Sequence, residues 1–265
     1  MTDQYAVIGH PIAHSKSPLI HAEFAKQCGQ DLHYDRILAP LDGFESAVLA
    51  FFAQGGKGLN VTLPFKQQAW KLAASLSLRA ADAEAVNTLS LSGDGLAGDN
   101  TDGAGLVRDI SARCAIGRKR VLLMGAGGAA RGVIRPLLEA GASGIVIANR
   151  TMDKAEALAE RFGIDALGYP DLADQAFDIV INATSSSLSE EVPPLPAGVF
   201  APGALAYDMM YGKEPTAFLR FAAEHGAGMV CDGLGMLVEQ AAESFFIWRG
   251  IRPDTAPVIA KLRSC

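Results

Sequence analysis

The sequence predicts an α/β protein of two domains, the second a doubly wound sheet of parallel strands. Three observations carry that expectation. Short apolar runs alternate with helix-compatible segments along most of the chain, which is the pattern of strands crossed over by helices. One such run, Val121-Leu122-Leu123-Met124, ends in Gly125-Ala126-Gly127-Gly128-Ala129-Ala130 and continues as a helix-compatible stretch to Leu138. A full series of strand and helix signals already precedes that glycine turn, so the residues before it supply a domain of their own.

The 265 residues suffice to bury a sizeable core and to form one large or two modest domains. A composition of 49% hydrophobic and 20% charged residues is ordinary for a globular chain. The net charge of −6, with no basic run, argues against a nucleic-acid partner. Cys28, Cys114, Cys231 and Cys265 are far apart, without metal-ligand spacing, and read as reduced thiols; no metal is expected. The start Met1-Thr2-Asp3-Gln4 lacks a basic region leading into an apolar core, and no apolar run reaches the length of a membrane span. The expectation is a cytoplasmic enzyme with no membrane partner, monomeric or homodimeric.

In order, Tyr5-Ala6-Val7-Ile8-Gly9 reads as a buried strand, followed by the polar loop His10 to Ser17. Ser17-Pro18 starts a helix, with the serine as its cap and the proline at its first position. The hydroxyls of Ser15 and Ser17 serve capping alone or, beside a helix start, a small carboxylate. A strand is expected over 31–38, a helix over 43–53 and a strand through Gly58 to Leu63. In that strand Asn60 and Thr62 share a face, and Pro64 presents Lys66 at its mouth. Residues 67–83 read as largely helical, Ala85 to Leu89 as the start of a strand, and Ser92-Gly93-Asp94-Gly95 as a hairpin signal. Asp102 closes a polar turn before a helix over 104–113, where it serves as a cap or as something more. The domain boundary is expected between Asp102 and Arg118.

The glycine turn has the form of a phosphate-binding loop. Gly125 allows a tight turn, Gly127 a close approach of backbone to pyrophosphate, and Ala130 close packing of helix on strand. The unpaired N–H groups of the first helical turn form an anion site; the same turn could also bind nothing. Beyond it the expected order is strand 120–124, helix 129–140, strand 144–148, helix 152–162, strand 177–182, a surface connection from Val192 to Pro202, strand 204–208, helix 216–225, strand 228–231 and a final helix over 236–249. About twenty residues after the glycines, where a carboxylate would grip the ribose of NAD, stands Asn149-Arg150-Thr151. A guanidinium there suits a 2′-phosphate, so NADP is the expected cofactor, although Arg150 also fits a plain solvated helix start. Thr184, in Asn182-Ala183-Thr184-Ser185 at a later strand end, is expected beside the cofactor.

Several stretches, in order, resemble the shikimate dehydrogenases of the bacterial biosynthetic type. They are Gly9-His10-Pro11-Ile12-Ala13-His14-Ser15-Lys16-Ser17-Pro18, Asn60-Val61-Thr62-Leu63-Pro64-Phe65-Lys66, Ala85-Val86-Asn87-Thr88-Leu89, Asn100-Thr101-Asp102-Gly103, the glycine turn, Asn149-Arg150-Thr151, Asn182-Ala183-Thr184-Ser185, and Asp232 to Ala242. The resemblance implies an N-terminal α/β substrate domain (1–102 and 238–265), a Rossmann-like NADP-binding domain (103–237) and a cleft between them. It implies NADPH-dependent reversible reduction of 3-dehydroshikimate to shikimate. Lys66 and Asp102 would form the catalytic pair. Ser15 and Ser17 would bind the substrate carboxylate, Thr62, Asn87 and Gln240 its hydroxyls, and Tyr211 would close over it. Gly125, Ala126, Gly127, Gly128 and Ala129 would hold pyrophosphate; Asn149, Arg150, Thr151 and Lys154 the 2′-phosphate; Met209 and Gly233 would lie against nicotinamide.

Two positions depart from the family pattern, which usually has glycine at both: Glu84, where the local backbone is expected to differ, and Ser187. The alternatives are a quinate/shikimate dehydrogenase tolerant of NAD, a methylenetetrahydrofolate dehydrogenase, which would not need the two serines or Gln240, and a non-catalytic sensor of the same fold, against which Lys66 and Asp102 both argue.

Overall fold

The computed structural model describes residues 2–184, 186 and 191–264. The chain forms two compact units, Met1–Gly105 with Val238–Cys265, and Leu106–Leu237.

The first unit is built on a sheet of β1 (Asp3–Gly9), β2 (Leu32–Leu38), β3 (Gly56–Val61), β4 (Ser75–Leu76), β5 (Thr88–Ser92) and β6 (Gly95–Asp99), in the order β2-β1-β3-β5-β6-β4. β1 runs parallel to both β2 and β3, while β3, β5 and β6 pair antiparallel. The β5–β6 hairpin pairs Ser92 with Gly95 across Gly93-Asp94, the two-residue connection that the sequence signals. Helices α1 (Ser17–Cys28), α2 (Phe44–Ala53), α3 (Lys66–Leu72) and α4 (Leu78–Ala83) complete the unit up to residue 100. Ile8, Phe44, Val48, Leu59, Phe65 and Leu89 are among the residues of its core.

One expectation for this unit is corrected. Ser17 is not the cap of α1 but its first residue, with Lys16 at the N-cap; the Ser17 N–H is taken instead by the Ser15 hydroxyl at 3.3 Å. The stretch 67–83 is largely helical, as two helices. The chain leaves α3 at Ala73, Ala74 N–H donates to Leu96 O at 2.8 Å and Ser77 N–H to Gly98 O at 3.0 Å, and the Ser77 hydroxyl then caps α4 by accepting from Ala80 N–H. Edge pairing with β6 thus overrides helix propensity. Glu84, at φ 47°, ψ 38°, takes the left-handed C-cap of α4 that glycine favours, at a cost of about 1 kcal/mol. Ser187 lies outside the described residues.

The second unit is a six-stranded parallel sheet of β7 (Arg120–Met124), β8 (Gly144–Ala148), β9 (Asp165–Leu167), β10 (Phe177–Asn182), β11 (Phe200–Asp208) and β12 (Met229–Cys231), in the order β12-β11-β10-β7-β8-β9. Val121 and Leu123 enter the core on one face, Leu122 and Met124 the core on the other, which is why β7 reads as an unbroken apolar run. Its helices are α6 (Gly128–Glu139), α7 (Met152–Phe162) and α8 (Ala217–Glu224). The chain passes between units inside α5 (Asp102–Ser111) and again inside α9 (Leu234–Arg249); α10 (Ala256–Arg263) follows.

The segment Val192–Pro202 is not wholly a surface connection. Val199 is fully buried, Phe177 N–H donates to Val199 O at 2.9 Å, and β11 begins at Phe200. The ladder jumps from Phe177↔Phe200 to Ile179↔Leu205, so Pro202 falls in an irregularity where its missing N–H is no loss. The short edge strand β9 and the closing helix α10 carried no sequence signal, and α9 is therefore not the final helix.

Candidate active site

In the first unit the end of β3 and the start of α3 position Lys66. The turn Thr62-Leu63-Pro64-Phe65 is pinned by the fully buried Phe65 ring, stacked on Phe44 with centroids 4.8 Å apart, and Lys66 is the first residue of α3. Its Nζ donates to Asp102 Oδ2 at 2.5 Å. Asp102 is itself the first residue of α5 rather than its cap, because Asn100 Oδ1 accepts the Asp102 N–H at 3.1 Å. The carboxylate is left available, and its second oxygen accepts from Asn87 Nδ2 at 2.8 Å. Side-chain exposures of 27% for Lys66 and 15% for Asp102 leave the pair reachable by a small molecule while shielding it from bulk water.

Asn87 is oriented without ambiguity. Its Oδ1 accepts the Thr101 backbone N–H at 2.9 Å, and its Nδ2 faces the Asp102 carboxylate, Thr101 Oγ1 at 2.9 Å and Gln240 Oε1 at 3.3 Å. A flipped amide would set donor against N–H and oxygen against carboxylate. Lys66, Asp102, Asn87 and Gln240 are therefore one hydrogen-bonded group drawn from α3, α5, the residue before β5, and α9.

The Ser15 and Ser17 hydroxyls lie 3.2 Å apart. Arg36, which the sequence did not single out, holds this loop by donating Nη2 and Nε to Ser15 O at 2.5 and 3.1 Å. Burial holds the Tyr34 phenol well above its ordinary pKa, with the Ser17 hydroxyl drawing it partly back; the phenol donates to Asn60 Oδ1 at 2.7 Å. Thr62 is half-buried in the turn before Lys66, its N–H bonded to Ile8 O.

The second unit holds an open cleft of about 560 Å³ lined by the glycine turn from Gly125 to Ala129, by Asn149, Arg150 and Tyr169, and by Ala183, Thr184 and Ser186 with Glu191–Pro194 beyond them. Gly125 sits at φ +100°, and a Cβ there would come within 3.1 Å of Thr184 Cγ2 and 3.2 Å of Ala183 O. At Gly127 and Gly128 an added Cβ would meet nothing within 4 Å. The backbone thus faces open space at the start of α6, which has no side-chain cap, the arrangement an anionic group needs. Asn149 Nδ2 donates to Thr151 O at 2.8 Å. Arg150 is exposed just past β8, whereas Thr151 and Lys154, at the start of α7, are exposed and do not line the cleft. Tyr169, which no pattern in the sequence marks, does line it; burial raises its phenol to about 12, and Arg150 acts in the opposite direction.

At the carboxyl ends of β10 and β11, Thr184 Oγ1 donates to Asn182 Oδ1 at 2.7 Å, and Met209 N–H donates to Asn182 O at 3.0 Å. The buried Asp208 carboxylate accepts from Thr216 Oγ1 at 2.6 Å and Met210 N–H at 3.0 Å. Gly233 N–H donates to Met210 O at 3.0 Å, and a Cβ on Gly233 would stand 2.2 Å from Met209 O, so only glycine fits. Tyr211 follows β11 in this unit, 37% exposed. No group of His, Cys, Asp and Glu able to hold a metal occurs among the described residues, and no helix among them is long and apolar enough to cross a membrane. Cys28 and Cys114 are free thiols, and Cys231 Sγ donates to Asp232 O at 3.3 Å; Cys265 lies outside the described residues, as does Ser185.

A parallel sheet with an open glycine turn at its carboxyl edge, in a chain that also presents a lysine–aspartate pair, defines the class of dinucleotide-dependent α/β dehydrogenases. Family models match the shikimate dehydrogenase substrate binding domain at residues 7–89, shikimate/quinate 5-dehydrogenase at 107–189 and the shikimate 5′-dehydrogenase C-terminal domain at 233–263. The shikimate dehydrogenase (NADP(+)) of Nitrosospira multiformis is 61% identical over 100% of this chain and 98% of its own length. Among solved structures, an Ael1 enzyme from Pseudomonas putida superposes with a TM-score of 0.95 at 51% identity, covering 98% of each chain. The shikimate 5-dehydrogenase of Thermus thermophilus, in complex with NADP(H) and shikimate, superposes with a TM-score of 0.89 at 34% identity, covering 99% of each. The chain belongs to the shikimate dehydrogenase family.

Proposed function

We propose that this chain catalyses the NADPH-dependent, reversible reduction of 3-dehydroshikimate to shikimate. Residues 1–102 and 238–265 form the substrate domain and 103–237 the NADP domain. The observation that carries the reading is the Lys66–Asp102 pair, joined through Asn87 to Gln240, in a chain with close relatives that are shikimate dehydrogenases.

NADPH, when bound, supplies the hydride for the ring ketone. The carbonyl oxygen gains negative charge as this happens and takes a proton, which Lys66 Nζ is placed to give; in the reverse direction the free amine accepts it. Asp102 Oδ2 holds Lys66 Nζ, and Asn87 holds the other carboxylate oxygen, so the ammonium is fixed before substrate arrives. Asn87 and Gln240, with Thr62, take the ring hydroxyls. The paired hydroxyls of Ser15 and Ser17, near the start of α1, take the carboxylate. The open space over Gly127 and Gly128 would take a pyrophosphate and Arg150 the 2′-phosphate, and Met209 with Gly233 would lie against the nicotinamide. The enzyme works in the cytoplasm as a monomer or homodimer.

Purified protein assayed at 340 nm with shikimate or quinate and NADP or NAD, in the four combinations, tests this directly. Turnover is expected chiefly with shikimate and NADP. Comparable rates with quinate and NAD would assign the broader quinate/shikimate activity, and no turnover in any combination would leave only a ligand-binding role. Gly233→Ala is expected to raise the KM for NADPH several-fold, with a smaller effect on the KM for shikimate, because its Cβ displaces the Met209 backbone; steady-state kinetics with each substrate varied in turn checks this.

A further inference from the structure

Behind the residues assigned to substrate lies a buried polar layer in which Ser244, outside every motif, meets Thr88, Asn60 and Thr101 from within them. Ser244, on α9 one turn beyond Gln240, and Thr88, the first residue of β5 and neighbour of Asn87, are 0% and 1% exposed. Their hydroxyls are 2.8 Å apart. Each hydroxyl carries one proton: Thr88 Oγ1 donates to Asn87 Oδ1 at 2.8 Å, Ser244 Oγ donates to Thr88 Oγ1, and Gln240 O, 3.1 Å from Ser244 Oγ, is its alternative acceptor. Thr101 Oγ1 lies 3.3 Å from Ser244 Oγ, and Asn60 Nδ2 donates to Ser244 Oγ at 3.0 Å and to Thr88 Oγ1 at 3.2 Å.

We infer that Thr88 and Ser244 are positioning residues for the reaction: the hydroxyl pair joins β5 to α9 and so holds Asn87 and Gln240 in register as one ligand plate under the substrate ring. The inference rests on the function proposed above. Its physical basis is that Asn87 and Gln240 sit on elements far apart in sequence, and the direct contact between their side chains is long, 3.3 Å. The short contact between the two elements is instead the hydroxyl pair. A hydroxyl pair in a dry site is strong and directional, and its loss leaves its neighbours without a fixed partner. Asn87 also carries the Asp102 carboxylate, so loosening the plate loosens the hold on Lys66 and should act on kcat as well as on the KM for shikimate. Nothing in the plate belongs to the nucleotide unit, so the KM for NADPH should not move.

The test compares Thr88→Val, which keeps shape and removes the hydroxyl, with Thr88→Ser, which keeps the hydroxyl and removes the methyl, and with Ser244→Ala. Steady-state kinetics and thermal melts are measured on all of them. Thr88→Val is expected to lower kcat/KM for shikimate at least fivefold with the KM for NADPH within twofold of wild type. Thr88→Ser is expected to recover most of the loss even where its melting temperature is lower, and Ser244→Ala to show the same split to a smaller extent. If melting temperatures fall while kcat and the KM for shikimate stay put, or if Thr88→Ser is as impaired as Thr88→Val, the pair is ordinary core and the inference is overturned. Wild-type protein is the control for the underlying function: failure to turn over shikimate overturns both readings, whereas active wild type with an unaffected Thr88→Val overturns this one alone.

Discussion

Lys66→Ala is expected to lower kcat about a thousandfold while changing the KM for shikimate only a few-fold. The size follows from the role proposed for Lys66: a positioned general acid contributes roughly 10²- to 10⁴-fold, and Lys66 Nζ is held by a 2.5 Å bond to Asp102 rather than left in solvent. The asymmetry between kcat and KM follows because the proton is needed as the alkoxide forms and contributes little to the ground-state complex. Folding should survive. The pair is partly exposed, a setting in which ion pairs contribute at most about 1 kcal/mol, and Asp102 retains Asn87 as a partner. Asp102→Asn should fall between wild type and Lys66→Ala, since the amide can still accept from the ammonium but without the charge that fixes it. Kinetics at several pH values and shikimate concentrations distinguish the roles; a rise in KM matching the fall in kcat would make Lys66 a binding residue instead.

The reach of the sequence differed between the two units for a physical reason. In the nucleotide unit the inner strands β7, β8 and β10 are buried on both faces. Val121 to Met124 and Ile145 to Ala148 are therefore unbroken apolar runs, and the helix over 152–162 and the strands over 120–124, 144–148 and 177–182 lie where the pattern sets them. The glycine turn reads locally through its spacing, although the space a Cβ on Gly125 would need is closed by Ala183 and Thr184, which follow directly on β10. The substrate unit hides more. The largely helical stretch 67–83 carries no local signal for the break that backbone partners on β6 impose. Ser15 takes over the capping bond assigned to Ser17. Lys66, Asp102, Asn87 and Gln240 were legible as motif residues, but the Asn60–Thr88–Ser244 layer is stitched by bonds spanning 28, 156 and 184 positions, separations that no periodicity reports. Tyr169 in the nucleotide cleft escaped for the same reason, since it enters from a short 3-10 turn behind an edge strand.

Arg150→Ala is expected to raise the KM for NADPH between about tenfold and a hundredfold and to leave the KM for NADH within about twofold. A charge-assisted hydrogen bond is worth roughly 1.5–3 kcal/mol, which at about 1.4 kcal/mol per decade gives that range. The 2′-phosphate is the group NADH lacks, so the penalty should be confined to NADPH. Arg150 is exposed, and the contact is therefore screened: the gap between wild type and variant should narrow as ionic strength rises past about 0.15 M, where the Debye length is near 8 Å. Stability gives an independent check on the same residue. Arg150 stands just before the N-terminus of α7, with Thr151 at the N-cap, where a positive charge opposes the helix dipole by a few tenths of a kcal/mol. Removing it should leave the melting temperature unchanged or slightly higher. A residue that costs the fold a little and serves the cofactor a great deal is placed for binding, and a parallel loss with NADH would instead assign it to the adenosine or pyrophosphate that both nucleotides share.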